Sequence, residues 1–306
     1  MSLYIGIPRG LLYYHYGKLW ERFFNELGVK VVVSDDTSKA TLNCGSVLDE
    51  VCLPVKAYFG HVCEIYRKVD YLFLPRIVSV AQGQYTCPHI IGVTDLVRSN
   101  ITDLPPIIDV NISLLKKHYY LYQSIIAVGQ QLGKGALTSL YAWYKSYYQL
   151  ADRGRVLAKE CEVAAWRKKN IALIGHSYII YDSFMSMNVL GKLNELGVNV
   201  LTADMVNSTC ANRAAEFLDK ELFWSYCHHL VGAAQSMLNR PIPVDGMIVM
   251  TSFACGPDSL MGEIIKRQAQ AKGIPCMLLT MDEHAGENAF VTRLEAFIDL
   301  IKRRWV

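Results

Sequence analysis

Three cysteines stand in one kind of setting: Cys52 in Glu50-Val-Cys-Leu-Pro54, Cys87 in Tyr85-Thr-Cys-Pro-His89, and Cys255 in Phe253-Ala-Cys-Gly-Pro-Asp258. In each, an apolar stretch has just ended and a proline follows within two residues, which fixes φ and puts the thiol on a rigid turn. A cysteine used for packing is placed as a small hydrophobe inside a helix or strand. A ligand thiolate instead needs a fixed backbone, an open direction and nearby N–H groups. Three such turns, far apart in sequence, point to one iron–sulfur cluster built where two domains meet. The short-spaced ferredoxin and zinc patterns are absent from the sequence, so the reading depends on a fold that positions the turns.

The elements that must do so follow one plan twice. Apolar Leu3–Ile7, then Pro8-Arg9-Gly10, then helical spacing over Leu11–Leu27, Gly28 and β-branched Val29–Val33 make a βαβ start. The plan returns in Ile171–Ile174, Gly175-His176-Ser177, a helical stretch from Phe184 to Leu196, Gly197 and Val198–Leu201. Tyr71–Leu74, Pro106–Val110, Met247–Met250 and Cys276–Thr280 are further strand candidates, and a helix is expected from Leu260. Alternation of this kind predicts α/β architecture: two Rossmann-like domains with parallel sheets, residues 1–113 and 170–306. Residues 114–169 lack proline and predict a helical connector broken near Gly133 and Gly135. Ligands are expected at the C-terminal edges of the strands, with the cluster site between the domains. Cys52 precedes the helical pattern that starts at Pro54, Cys87 lies in a loop after Tyr71–Leu74, and Cys255 follows Met247–Met250. Helix N-termini favour thiolate.

Composition narrows the function classes. With 306 residues, 52% hydrophobic and 19% charged, the chain can bury two cores. Its 31 basic and 28 acidic residues are well mixed and the net charge is +3, so a nucleic-acid partner is not expected. The N-terminal residues lack the pattern of a signal peptide, and no uncharged apolar run reaches the ~18 residues of a membrane span. A cytoplasmic protein without a membrane partner is the expectation. Nine cysteines, an odd number, then read as reduced thiols rather than a disulfide framework.

The stretches Ile5-Gly-Ile-Pro-Arg-Gly-Leu-Leu-Tyr-Tyr14, Glu50-Val-Cys-Leu-Pro-Val-Lys56 with Phe59-Gly-His61, Pro75-Arg-Ile-Val-Ser-Val80, Cys87-Pro88, Gly175-His-Ser-Tyr178, Phe253-Ala-Cys-Gly-Pro-Asp-Ser259 and Asp282-Glu-His-Ala-Gly-Glu287 resemble the acyl-CoA dehydratase activase-related proteins. These are relatives of the 2-hydroxyacyl-CoA dehydratase and benzoyl-CoA reductase iron–sulfur subunits and of the double-cubane cluster proteins. The resemblance runs from Ile5 to about Ile301. It implies a low-potential cluster between two α/β domains, ligated here by Cys52, Cys87 and Cys255, with [4Fe–4S] first and double-cubane [8Fe–9S] second. It also implies a separate ATP-dependent activator as electron donor, an acyl-CoA substrate, and a homo- or heterodimer. The reaction would be radical dehydration or reduction at an iron without a protein thiolate, a lyase or oxidoreductase component. A noncatalytic electron-transfer or cluster-carrier protein, and a double-cubane reductase of small molecules, are the alternatives. The sequence lacks the acidic, Gly-rich phosphate loops of the activator, so the partner rather than this chain is expected to be the ATPase.

The other polar residues carry structural readings as well. Cys161, Cys227 and Cys276 read as packing, whereas Cys44, Cys63 and Cys210 are the additions a double cubane would need. Arg9 and Arg76 each follow a proline at a strand end and read as contacts for a phosphate or an acidic partner, with surface ion pairing as the competing reading. His61 and His176 are as suited to capping or core hydrogen bonding as to catalysis. His228 and His229 face different sides of one helix, which argues against a zinc pair. Asp282, Glu283 and His284 follow the last strand and divide between proton transfer and capping of a helix near Glu287.

Overall fold

The computed structural model describes residues 3–115, 119–148, 168–239 and 244–303. Two units divide the chain, Met1–Arg155 with Phe223–Ser225, and Val156–Leu222 with Tyr226–Val306. Each contains a four-stranded parallel sheet.

In the first unit the elements run β1 (Tyr4–Ile7), α1 (Tyr13–Glu26), β2 (Lys30–Val33), α2 (Lys39–Gly45), α3 (Leu53–Ile65), β3 (Tyr71–Phe73), β4 (Arg76–Ser79), α4 (Pro88–Asn100), β5 (Ile107–Ile108), β6 (Asn111–Ser113), α5 (Tyr119–Gln131) and α6 (136–148). The sheet order β2-β1-β3-β5 buries Ile5, Ile7 and Leu72 completely. One face of α1 supplies Trp20 and Phe24, both edge-on to Phe73 with ring centroids 5.4 and 4.9 Å away. Gly28, at φ +74°, ends α1 because only a left-handed residue lets its N–H reach Asn25 O at 2.9 Å while the next N–H reaches Phe24 O at 3.0 Å.

The helices α2 and α3 pack backbone against backbone. A Cβ on Gly45 would lie 2.1 Å from Lys56 O, and one on Gly60 would lie 2.0 Å from Thr41 O. Two glycines thus set how closely the pair carrying the Cys52 turn can approach. Ser38 starts α2 with a reciprocal cap, its Oγ accepting from Thr41 N–H at 3.2 Å while Thr41 Oγ1 accepts from Ser38 N–H at 3.1 Å.

β4 and β6 form a second, two-stranded parallel sheet that the sequence reading does not anticipate. It continues the β3–β5 pairing beyond the break at Pro75: Leu74 N–H donates to Ile108 O and Arg76 N–H to Val110 O, both at 3.1 Å. The segments are only three or four residues long and mix polar with apolar positions, so they lack a periodic signal. Of the expected connector, α5 and α6 are helical, and Gly133 at φ +70° lies in the turn between them. The remainder, 149–167, and Cys161 with it, lies outside the described residues.

The second unit runs β7 (Asn170–Ile174), α7 (Ser177–Ile180), α8 (Val189–Glu195), β8 (Asn199–Thr202), α9 (Ser208–Ala214), α10 (Ser225–Leu238), β9 (Gly246–Ser252), α11 (Gly256–Ala271), β10 (Cys276–Met281) and α12 (Glu287–Arg303). Its order is β10-β9-β7-β8. The central strands carry apolar runs, Ile171–Ile174 and Met247–Met250, that are fully buried, as strands covered on both faces must be. The helix expected from Phe184 begins only at Val189. Asp182 Oδ1 instead accepts from the N–H groups of Phe184 and Met185 at 3.0 and 2.9 Å, and Met187 and Asn188 take positive φ before the helix starts. The helix expected from Leu260 starts earlier, at Gly256. Among the described residues no helix is long and apolar enough to cross a membrane.

Candidate functional site

Cys52, Cys87 and Cys255 are the N-cap residues of α3, α4 and α11. Their backbones are extended, with φ/ψ of −67/151°, −59/140° and −99/103°, and each helix carries a proline in its first two positions. Proline fits there because a first-turn N–H has no intrahelical partner. The cysteine ahead of it is biased to extended backbone where the proline follows directly, as at Cys87. Each thiol therefore stands where first-turn N–H groups and the positive end of the helix dipole favour a thiolate. Cys52 is buried, and Cys87 and Cys255 are half-buried. Cys52 and Cys87 belong to the first unit and Cys255 to the second.

Local bonds fix these turns. Thr86 ties the Cys87 loop to β4, its N–H donating to Val78 O at 3.0 Å and its hydroxyl to Ile77 O at 2.5 Å. Asp258 ties the Cys255 turn to β9, its Oδ2 accepting from Ser252 N–H at 3.0 Å, and the Cys255 thiol also donates to this carboxylate. In the same unit, Nε2 of His176 lies 2.9 Å from Asp258 Oδ1 and 4.0 Å from Cys227 Sγ. All three side chains are buried. The His176 ring stacks on Tyr178, centroids 4.8 Å apart with planes 9° from parallel. Burial opposes charge on His176, but the Asp258 carboxylate outweighs it and raises the ring to about 10, with Cys227 adding to the effect. Burial likewise opposes ionisation of Asp258. His176, the Ser252 N–H and the Cys255 thiol together hold it below the usual carboxylate range.

The remaining candidates are mostly occupied by structure. Arg9 pairs with Asp36, and Arg76 grips Asp95 through two contacts of 2.6 and 2.8 Å while donating to Ile91 O at 3.0 Å. Their guanidinium groups serve the first unit's own carboxylates, which weakens the case for either as a contact to an external anion. His61 is fully buried and hydrogen-bonded to Thr37 Oγ1 at 2.9 Å; burial, with Arg9 nearby, pushes it down to about 4. His228 and His229 are both shifted down by burial, and His229 also contacts the Ala203 backbone. Cys63 is pushed up to about 12 by burial and by a hydrogen bond with Cys44, so these two thiols, on α3 and α2, face each other. Cys210 is exposed on α9. Cys276 sits in β10, pushed up to about 11 by burial. Glu283 and His284 stand 3.6 Å apart in the turn before α12, which starts at Glu287.

Two residues exceed their sequence reading. Cys227 is more than packing, since it faces His176, and Asp258 is not singled out at all. The available signal for Asp258 is its place three residues after the cysteine N-cap, a position where a carboxylate commonly completes a cap.

Residues 4–206 match the family described as the CoA enzyme activase uncharacterised domain (DUF2229). The chain belongs to that family. The match spans all of β1 through β8 and ends before Cys227 and Cys255. No curated protein matches the chain. Among solved structures, it aligns with the SBP FpvC from Pseudomonas aeruginosa in complex with Mn2+ at 15% identity and TM-score 0.30, covering 99% of this chain and 100% of that one. A Zn(II)-bound mutant of AdcAII from Streptococcus pneumoniae aligns at 10% identity and TM-score 0.29, covering 98% of each chain. Glutamate racemase isoform RacE1 from Bacillus anthracis aligns at 10% identity and TM-score 0.22, covering 97% of this chain and 82% of that one. TM-scores this low give none of the three any bearing on fold or function.

Proposed function

We propose that this activase-family protein is an iron–sulfur component of the 2-hydroxyacyl-CoA dehydratase type, with Cys52, Cys87 and Cys255 as cluster ligands. One observation carries the reading: all three are helix N-caps with proline in the first turn, two of them fastened by hydrogen bonds to the strand that precedes them. The donor set fits a cluster, since each cysteine has an extended backbone and first-turn N–H groups able to hydrogen-bond sulfur. When bound, a cubane with three protein thiolates would supply a low-potential electron and a Lewis-acidic iron. The chain's own part is to hold the thiolates on backbone fixed by proline, with the first-turn N–H groups of α3, α4 and α11 as the donors to sulfur. An ATP-dependent activator would deliver the electron, and an acyl-CoA thioester is the substrate class in keeping with the family.

Anaerobic purification followed by iron and sulfide analysis tests the first step. About four irons per chain support a single cubane and about eight the double cubane, for which Cys44, Cys63 and Cys210 are the added thiols. Absence of both iron and sulfide overturns the proposal. Mixing the oxidised protein with reduced activator, with and without ATP, then separates roles: ATP-dependent bleaching marks the acceptor, and dehydration of a 2-hydroxyacyl-CoA marks the enzyme over the carrier. The family description also favours a second reading, that the chain is itself an ATP-dependent activator. Hydrolysis of ATP by the isolated chain would select that one.

A further inference from the structure

We propose that the second unit holds a divalent cation of the zinc class between His176, Cys227 and Asp258, separate from the three-cysteine ligand set. The residues come from three elements: His176 is the N-cap of α7 at the end of β7, Cys227 lies in the first turn of α10, and Asp258 lies in the first turn of α11. Nothing local in sequence brings them together, yet one ligand atom from each lies within 4.8 Å of the other two. A tetrahedral zinc with bonds of about 2.0–2.3 Å keeps neighbouring N, O and S ligands about 3.4–3.6 Å apart. The observed separations, 2.9 Å for Nε2 to Oδ1 and 4.0 Å for Nε2 to Sγ, bracket that range. Rotation of the three side chains, whose ligand atoms all lie within 4.8 Å of one another, would close the difference.

A nucleophile–imidazole–carboxylate relay is the competing use of these residue types. It requires the carboxylate on one ring nitrogen and the thiol on the other. Here both partners face Nε2, so the ring connects nothing across itself. Asp258 supplies the second observation. Its Oδ2 is taken by Ser252 N–H, but Oδ1 accepts no aligned hydrogen bond despite lying 2.9 Å from Nε2, and the side chain is only 1% exposed. A carboxylate oxygen, an imidazole nitrogen and a thiol sulfur converge in a buried space. That mixed donor set suits zinc better than magnesium or calcium, which take oxygen ligands. Ser252 N–H and the stacked Tyr178 ring are the outer groups that orient the ligands.

The full-length chain, purified anaerobically, is incubated with ZnCl2 and desalted, and zinc, iron and sulfide are measured on the same sample. About one zinc per chain is expected, retained in a Cys52→Ala/Cys87→Ala variant and lost in Cys227→Ser and in His176→Gln. No retained zinc in the parent, or unchanged zinc in a folded Cys227→Ser, overturns the proposal and leaves His176 and Asp258 as a buried ion pair. Should the site variants fail to fold, Co(II) added to Cys52→Ala/Cys87→Ala decides: a thiolate-to-cobalt absorption band is expected, and its absence is equally fatal. Loss of iron with retention of zinc, or the reverse, keeps this outcome apart from that of the iron–sulfur reading.

Discussion

Asp258 accepts a hydrogen bond from the backbone N–H of Ser252 at 3.0 Å, so the first turn of α11 is fastened to the end of β9 with Cys255 held on the turn between them. The same carboxylate faces His176, which makes it the one acceptor on which a backbone donor and a buried imidazole both depend. Asp258→Ala should therefore destabilise the second unit by about 3–5 kcal/mol, the cost of leaving a buried charge without its partner. Asp258→Asn, which keeps an oxygen for Ser252, should cost less. Urea unfolding of both variants checks the order, and equal losses would contradict it.

Cys255→Ala should behave in the opposite way. The turn keeps Gly256, Pro257 and the Asp258–Ser252 bond, so the fold should survive while iron content falls sharply. Circular dichroism beside iron analysis reads both quantities, and a folded variant with parental iron would remove Cys255 from the ligand set.

His61 sets an acid limit on the first unit. Its folded value is about 4 against an ordinary 6.5, so the unfolded chain takes up a proton that the folded one refuses. The stability tied to the neutral ring is present above pH 6.5 and is lost as pH falls from 6.5 towards 4, about 3 kcal/mol in all. The imidazole C2–H resonance should titrate near 4 in the folded protein, and a midpoint near 6.5 would refute the assignment. His61→Gln should flatten the urea midpoint between pH 4 and 6.5.

Two glycine substitutions should differ in sign. Gly60→Ala places a methyl against the Thr41 carbonyl, where backbone must move, and should cost about 3 kcal/mol. Gly92, inside α4, has nothing within 4 Å of an added Cβ, so Gly92→Ala should gain about 0.5–1 kcal/mol from helix propensity alone. Thermal melts of the pair are sufficient.

The main strands were legible because they are apolar, β-branched and separated by glycine: β1, β2, β7, β8 and β9 all fall within a residue or two of the runs from Leu3, Val29, Ile171, Val198 and Met247. The setting of the three cysteines was legible for a local reason too, a proline in the first turn of the helix that each cysteine caps. What escaped is whatever needs a partner distant in sequence. β4 and β6 exist only through each other and through continuation of β3 and β5. For Arg9 and Arg76 the ion-pairing alternative was legible but not its partners, because Asp36 and Asp95 lie 27 and 19 residues away along the chain. His176, Cys227 and Asp258 escaped as a set because each has an adequate local explanation, as cap, core thiol and first-turn acid.

The two-stranded extension past Pro75 also makes the Cys87 loop a separable cassette. Thr86 is hooked to Val78 and Ile77 on β4 and Tyr85 is hydrogen-bonded to Phe223 and Ser225, all outside the four-stranded sheet, so the turn rests on ties separate from the β1–β3 pairing. Exposure of the Cys87 thiol is then a local event, governed by a handful of hydrogen bonds rather than by unfolding of the whole unit. Lengthening or reshaping this loop should re-aim one thiol without disturbing the core beneath it.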